Sequence, residues 1–253
     1  MESKKELVIL NKFKEDFLKV KQMGWIPSNR FHDTGIGKTF EDFLGVIENN
    51  KPSADYEGLI ELKSTRELSQ SMITLFTKSP EPNKVNSQLR ERFGYSDNEH
   101  PDLKILHTTF SGDKFNTCKN KFCFSMEINR INNRIDIIIK NLETGKLEDI
   151  EAYYSFDKIK NKIENKCKFI AFISAECKKE NGKEFFNFSK ATLLFGLNLE
   201  KFLTFLEKGI IKYDVRIGVY RTGKNKGKTH DHGSGFRVLK ADIDKVFRVT
   251  ELN

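Results

Sequence analysis

The chain has 253 residues, with 44 Lys and Arg against 36 Asp and Glu, a formal charge of +8. Aromatic residues make up 11% and charged residues 32%, which excludes a disordered polymer and leaves a basic surplus suited to a polyanion. No apolar run approaches the ~20 residues of a membrane-spanning helix, and residues 1–10 carry charges where a secretion signal is apolar. A cytoplasmic protein of one large domain or two lobes, without a membrane partner, is expected.

In chain order, apolar residues at helical spacing predict a helix over 4–23, with Leu7, Leu10, Phe13, Phe17 and Val20 on one face. Gly24 and Pro27 end it. Residues 34–37 read as a turn, and 39–48 as a second helix built on Phe40, Phe43, Leu44 and Ile47. Short strands are expected over 59–63 and 71–76. A hairpin follows, with arms 121–130 and 134–140 joined through Asn132 and Asn133. Residues 156–165 read as a helix. The almost wholly apolar run 169–175 reads as a central strand buried on both faces. A strand at 185–195, a helix at 199–208, strands at 214–220 and 235–239 around a long loop, and a closing helix at 241–247 complete a mixed α/β pattern.

The four cysteines, Cys118, Cys123, Cys167 and Cys177, are too sparse for a disulfide framework. Cys118 and Cys123 have no second ligand pair and are flanked by Lys119 and Lys121, so they read as structural thiols rather than a zinc half-site.

The segment from Asp55 to Lys63 carries the strongest chemistry. Side chains alternate along a strand, so Glu61 and Lys63 share one face while Ile60 and Leu62 enter the core. Asp55 precedes the strand and can fold back across a turn at Gly58. Two converging carboxylates suit Mg²⁺, and a lysine beside them can serve a water and a scissile phosphate. A half-exposed strand would show the same alternation without any catalysis. Glu176-Cys-Lys178 is a partial imitation that has no nearby preceding Asp.

The second concentration of chemistry is the basic glycine loop 222–235. Its spacing of glycines is one residue short of a phosphate-binding loop, and no helix follows. His230, Asp231 and His232 could hold a metal. The loop's Arg, Lys, Asp and His also equip it to read base edges and grip phosphates. A solvated polar loop is the plain alternative.

Seven collinear segments carry a resemblance. They are Thr34-Gly-Ile-Gly-Lys-Thr-Phe-Glu-Asp42, Asp55 through Lys63, Thr74-Leu-Phe-Thr-Lys-Ser-Pro80, Tyr154-Ser-Phe-Asp157, Ile173-Ser-Ala-Glu176, Asp214-Val-Arg-Ile-Gly218 and Gly227-Lys-Thr-His-Asp-His-Gly233. Together they resemble the MvaI/BcnI family of type II restriction endonucleases and, more distantly, the MutH mismatch-repair nuclease. The resemblance implies a restriction-endonuclease-like PD-(D/E)XK core with a second DNA-recognition lobe, and a DNA cleft between them. The catalytic lobe is expected over 1–110, together with the strand 168–176, and the recognition lobe over 111–253.

The implied activity is Mg²⁺-dependent cleavage of double-stranded DNA at a CCNGG-type pentanucleotide, with CC(A/T)GG favoured. The implied catalytic set is Asp55, Glu61, Lys63 and Glu41, with Asp55, Glu61 and Leu62 holding the metal. Five residues separate Asp55 from Glu61, one more than the family pattern, and the Gly58 turn is where the extra residue can be absorbed. DNA contacts are expected from Arg216, Arg221, Lys224, Lys226, Lys228, His230, Asp231, His232 and Arg237. A monomer is implied, with a cognate cytosine methyltransferase as genetic partner only. A MutH-like nicking enzyme and a DNA-binding protein without catalysis are the rival readings.

Overall fold

The computed structural model describes residues 3–47, 53–69 and 71–252. The chain divides into two compact units. The first contains residues 1–71, 162–197 and 243–253, and the second 72–161 and 198–242. The first passage through unit one forms α1 (Lys4–Gln22), β1 (Trp25–Pro27), α2 (Gly35–Phe43) and β2 (Ile60–Arg66). The second unit begins with β3 (Ile73–Thr77), α3 (Val85–Phe93), β4 (Tyr95–Ser96) and β5 (Lys104–Phe110). It continues through β6 (Asn116–Cys118), β7 (Phe122–Asn129), β8 (Arg134–Asn141) and β9 (Tyr153–Ser155). Helix α4 (Phe156–Lys166) carries the chain back to unit one for β10 (Phe169–Glu180) and β11 (Lys183–Phe195). Then α5 (Leu199–Glu207), β12 (Ile211–Val219), β13 (Thr229–Asp231) and β14 (Gly235–Val238) complete unit two, and α6 (Ile243–Val246) with β15 (Arg248–Glu251) returns to unit one.

Unit one is a sheet in the order β1–β11–β10–β2, with β15 sharing the outer edge of β11. β10 runs parallel to β2 and antiparallel to β11, so it is the central strand that its apolar run predicts. Helix α1 starts at a capping box, in which Ser3 and Glu6 satisfy each other's backbone N–H groups. Its apolar stripe buries Phe13, Phe17 and Val20 against Ile36 and Phe40 of α2, Ile60 and Leu62 of β2, and Phe186 and Phe188 of β11. Each buried phenylalanine contributes roughly 1.5–3 kcal/mol. This packing fixes one face of β2 and leaves its alternate residues, Glu61 and Lys63, on the other.

Unit two holds a sheet in the order β3–β14–β12–β5–β4, with β13 also on β12, and a second sheet β6–β7–β8–β9. Phe236 of β14 packs on Phe76, Tyr154, Phe202 and Tyr213, with ring centroids 5.0–5.4 Å apart. Phe110 stacks on Phe124, which ties the two sheets of this unit together.

Several expectations are corrected. The second helix starts at Gly35, so the expected turn at 34–37 is its first turn, and it stops at Phe43. Residue 48, the end of the expected helix, lies outside the described residues. The helix at the C-terminal end is short and β15 follows it, pairing with β11. The division of the chain also differs from a cut at 110. Strands β3 to β5 pair with β14 and β12, so 72–110 belongs to unit two, while all of 162–197 and 243–253 joins β2. Helix α3 and strand β5 had no counterpart in the sequence reading. The single apolar stripe of α3, Val85, Leu89 and Phe93, is its only periodic signal.

Candidate active site and candidate nucleic-acid interface

Among the described residues β2 is the edge strand of its sheet, with β10 on one side only. The chain enters it through a tight turn with bridges Ala54 to Gly58 and Tyr56 to Ile60. Glu57 and Gly58 take φ of 50° and 68°, which lets residues 54–60 fold back within so few positions. Tyr56 anchors the turn: its ring meets Phe13 edge-on at 5.2 Å, and its hydroxyl donates to Asp16 Oδ2 at 2.7 Å. Burial first, then the hydrogen bond to Asp16 and its charge, raises the Tyr56 hydroxyl above its ordinary range, so it stays a donor.

So held, Asp55 Oδ2 accepts the Leu62 N–H at 3.0 Å. A strand residue sends its N–H and C=O to the same side, so the Leu62 carbonyl follows its N–H towards Asp55 at the open edge. Glu61 is 5% exposed. Its Oε1 accepts from Lys63 Nζ at 2.6 Å and its Oε2 from Lys166 Nζ at 2.9 Å. Lys166 Nζ also stands 3.6 Å from Asp55 Oδ1, so one ammonium closes the two carboxylates. Burial alone would lower the Lys166 pKa. The Glu61 hydrogen bond and the charges of Glu61 and Asp55 outweigh that and raise it above an ordinary lysine. Cys167, buried beside them, is pushed up to about 12 chiefly by burial, so it is an inert thiol.

The sequence reading missed Lys166. It is the last residue of α4 and contacts Glu61 across 105 positions, a juxtaposition without any local spacing signal. Glu41 sits half-buried on α2. Among the described residues no group of three or more His, Cys, Asp or Glu could hold a metal. Glu41 therefore does not join Asp55 and Glu61 in a three-acid cage, and His230, Asp231 and His232 form no metal site.

The expected base-reading residues lie on or near β12. Along that strand Tyr213, Val215, Ile217 and Val219 face the core, while Asp214, Arg216 and Gly218 face away. The register places His107 opposite Arg216, Thr109 opposite Asp214, and His230 opposite Gly218. Arg216 is about half exposed, with Nε 2.7 Å from Asp214 Oδ2. His230 stacks on Tyr220 at 4.4 Å and touches His232 at 4.3 Å. Gly218 leaves the room for His232, since a Cβ there would lie 2.6 Å from Nε2. A cavity of about 430 Å³ opens beside these rings, lined also by Asp97, His107 and Arg221. Burial first, then the charges of His232 and Arg216, lowers the pKa of His107, a member of this face that the sequence reading missed. Burial and His230 do the same to His232.

Two further expected readers make contacts within the protein. Asp231 pairs opposite Ile217, on the α3 side of the sheet. Its Oδ1 accepts the N–H groups of Gly233 and Ser234 at 3.0 and 2.7 Å, and its Oδ2 accepts from Asn86 at 2.9 Å. Arg237 is 8% exposed. It lies 2.9 Å from Asp214, bonds Thr74, and donates to the Gly233 carbonyl at 3.1 Å. Both hold the sheet in shape. Arg221 is exposed but tied to Asp97 at 2.8 Å and to Glu99. Lys224, Lys226 and Lys228 are exposed on the β12–β13 connection. A 3-10 turn, Gly223–Asn225, and backbone bonds from Gly227 N–H to the Tyr220 carbonyl and from Tyr220 N–H to the Lys228 carbonyl shape that connection.

A mixed sheet with an acid and a lysine on its edge strand and a second acid in the turn before it, in a chain that carries a separate basic sheet face, is the design of a DNA-cutting enzyme. The sequence profile of the MvaI/BcnI restriction endonuclease family matches residues 14–247. The solved complex of restriction endonuclease MvaI with its cognate DNA substrate is 36% identical over the whole of both chains, with a TM-score of 0.88. MvaI solved in the absence of DNA is 34% identical over the whole of both chains, with a TM-score of 0.64. No match is found among curated proteins. The chain belongs to the MvaI/BcnI restriction endonuclease family and is a site-specific deoxyribonuclease.

Proposed function

We propose that this enzyme is a Mg²⁺-dependent endonuclease that cuts double-stranded DNA at a CCNGG-type pentanucleotide, CC(A/T)GG favoured. The observation that carries the reading is the closure of Asp55 and Glu61 on a single cation, the Lys166 ammonium, at the open edge of β2. Hard carboxylate oxygens with a backbone carbonyl suit Mg²⁺, and an ammonium held by the same oxygens marks where they favour positive charge. Asp55, Glu61 and the Leu62 carbonyl would hold the ion. Bound there, it would lower the pKa of a water and offset charge on the reacting phosphate.

The chain's own groups supply the rest. The buried Glu61 is fixed in place by two ammonium groups. Lys63, a quarter exposed at its side chain, keeps its Nζ protons beside Glu61 Oε1 and towards solvent, where water and phosphate arrive. Glu41 is assigned as a further acid acting through water. Arg216, aimed by Asp214, is the guanine reader, with His230 and His232 on neighbouring edges, and Arg221 beside them. Lys224, Lys226 and Lys228 grip phosphates, and Asp231 and Arg237 position the readers. One chain carries both the cutting and the reading residues, which supports action as a monomer, and membership of a restriction endonuclease family supports a cytoplasmic enzyme beside a protective cytosine methyltransferase. No helix among the described residues is long and apolar enough to cross a membrane.

Plasmid digestion with Mg²⁺, with EDTA as control, followed by sequencing of the cut ends, tests activity and site together. Asp55→Asn, Glu61→Gln and Lys63→Ala should each slow cleavage by more than about a hundredfold while keeping specific binding in Ca²⁺. Near wild-type cleavage by Lys63→Ala would remove it from the catalytic set.

A further inference from the structure

We propose that Lys166 is a built-in counter-cation for the acid pair, which a divalent ion must displace. The inference rests on the metal reading of Asp55 and Glu61 given above. Lys166 Nζ stands 2.9 Å from Glu61 Oε2 and 3.6 Å from Asp55 Oδ1. A Mg²⁺ ion takes oxygen ligands at about 2.0–2.1 Å, so an ion on both carboxylates would lie in contact with that ammonium. The site's charges sum to zero as they stand: Asp55 and Glu61 against Lys63 and Lys166. Adding a divalent ion without moving a lysine leaves two positive charges in excess in a partly buried place, where like charges repel more strongly than in open water.

Lys63 and Lys166 are not equivalent in this exchange. Lys63 bonds Glu61 through the other oxygen, Oε1, and approaches from the same strand face, so it can stay. Lys166 bridges the two acids and occupies their point of convergence. Its Cα cannot retreat, because it ends α4 immediately before Cys167, fully buried, and the central strand β10. Its four-carbon stem can rotate. Lys166 therefore keeps two carboxylates close together that would otherwise repel each other, and preserves the spacing a metal needs. The same contact costs metal affinity. The ammonium released from the acids becomes a free positive charge next to the site, where a DNA phosphate can take it.

The test is Ca²⁺ binding by titration calorimetry, without DNA, for the wild-type enzyme and for Lys166→Met, which keeps the stem and removes the charge. Lys166→Met should bind Ca²⁺ at least about tenfold more tightly, and Lys166→Arg should not. Equal or weaker affinity in Lys166→Met overturns the counter-cation role. Absence of Ca²⁺ binding in both proteins overturns instead the metal reading itself. A second measurement needs no variant: brief acylation of the wild-type protein with mass-spectrometric mapping. Lys166 should be protected in EDTA and become reactive in Ca²⁺, with exposed Lys224 unchanged in both. Protection that persists in saturating Ca²⁺ would show that the ammonium never leaves and would refute displacement.

Discussion

Asp214 is where the reading face is most vulnerable. One carboxylate, 8% exposed, serves three partners: Arg216 Nε at 2.7 Å, Arg237 Nε at 2.9 Å and the Thr109 hydroxyl at 2.8 Å. The side chains of Asp214 and Arg237 are only 12% and 10% exposed, whereas Arg216 is 48% exposed. The Arg216 pair is therefore screened by water and adds no more than about 1 kcal/mol to stability. The Arg237 pair is buried, and removing one partner of such a pair costs about 3–5 kcal/mol, because the other charge is left uncompensated. Burial, then the nearby Arg216 charge, already lowers the Arg237 pKa, with Asp214 holding it up. Arg237 keeps its bonds to Thr74 and Gly233, which places the expected cost of Asp214→Ala near the lower end, about 3 kcal/mol.

The assay is urea denaturation followed by far-UV circular dichroism. The single tryptophan, Trp25, lies on β1 in unit one, so fluorescence would follow the other unit. The mechanism makes a sharper demand than the single mutant. Arg237→Met removes the buried charge, so the double variant should be much less damaged than the sum of the singles, with a coupling of at least about 2 kcal/mol. Additive losses, or a cost below about 1 kcal/mol for Asp214→Ala, would refute the buried-pair argument. Asp214→Ala should also reduce the preference for cognate over random DNA, since Arg216 loses the carboxylate that aims it.

Asp231→Ala should cost about 1–3 kcal/mol of stability by stranding the Gly233 and Ser234 N–H groups and Asn86, and should weaken binding to cognate and random duplexes alike. A loss confined to the cognate site would restore Asp231 as a base reader. The lowered pKa values of His107 and His232 predict a pH dependence with a definite sign. The unfolded chain takes up these protons first, near pH 6.5, so stability is complete above that value and falls as pH drops towards the folded-state values. Urea midpoints between pH 7.5 and 5 should show this fall, and His107→Gln should flatten it. A midpoint that rises on acidification would contradict the cause assigned to the shifts.

How much of this was legible in the sequence depended on which contacts are local. The apolar run beginning at Phe169 announces a central strand, because a strand covered on both faces has no polar side to show. The alternation Ile60, Glu61, Leu62, Lys63 announces which pair faces out, and the structure places Ile60 and Leu62 in the core. Lys166 could not be read this way. Its meeting with Glu61 depends on where α4 ends relative to β2, a tertiary fact. The division of the chain was hidden for the same reason, since β3 finds β14 and β10 finds β2 only after long excursions.

The loop of unit two differs, because there the deciding rule is local. As a polar loop, His230, Asp231 and His232 would be equally free to meet DNA. Residues 229–231 are a strand on β12, and alternation then separates them: His230 falls with Gly218 on the reading face, and Asp231 with Ile217 on the α3 side. Asp231 turns inward to bond Gly233 and Ser234, and with Gly233 at φ 92° this shapes the turn that returns His232 to the His230 side. Arg216 and Arg237 are a harder case, because the same residue type on one sheet face has opposite fates. Arg237 is held between Thr74, Asp214 and Gly233, whereas among the described residues the Arg216 guanidinium bonds Asp214 alone and is about half exposed. The irregular pairing of β3 with β14 at Phe236 and Arg237 brings Thr74 to Arg237, so that arginine is tied into the sheet on more sides than Arg216 is.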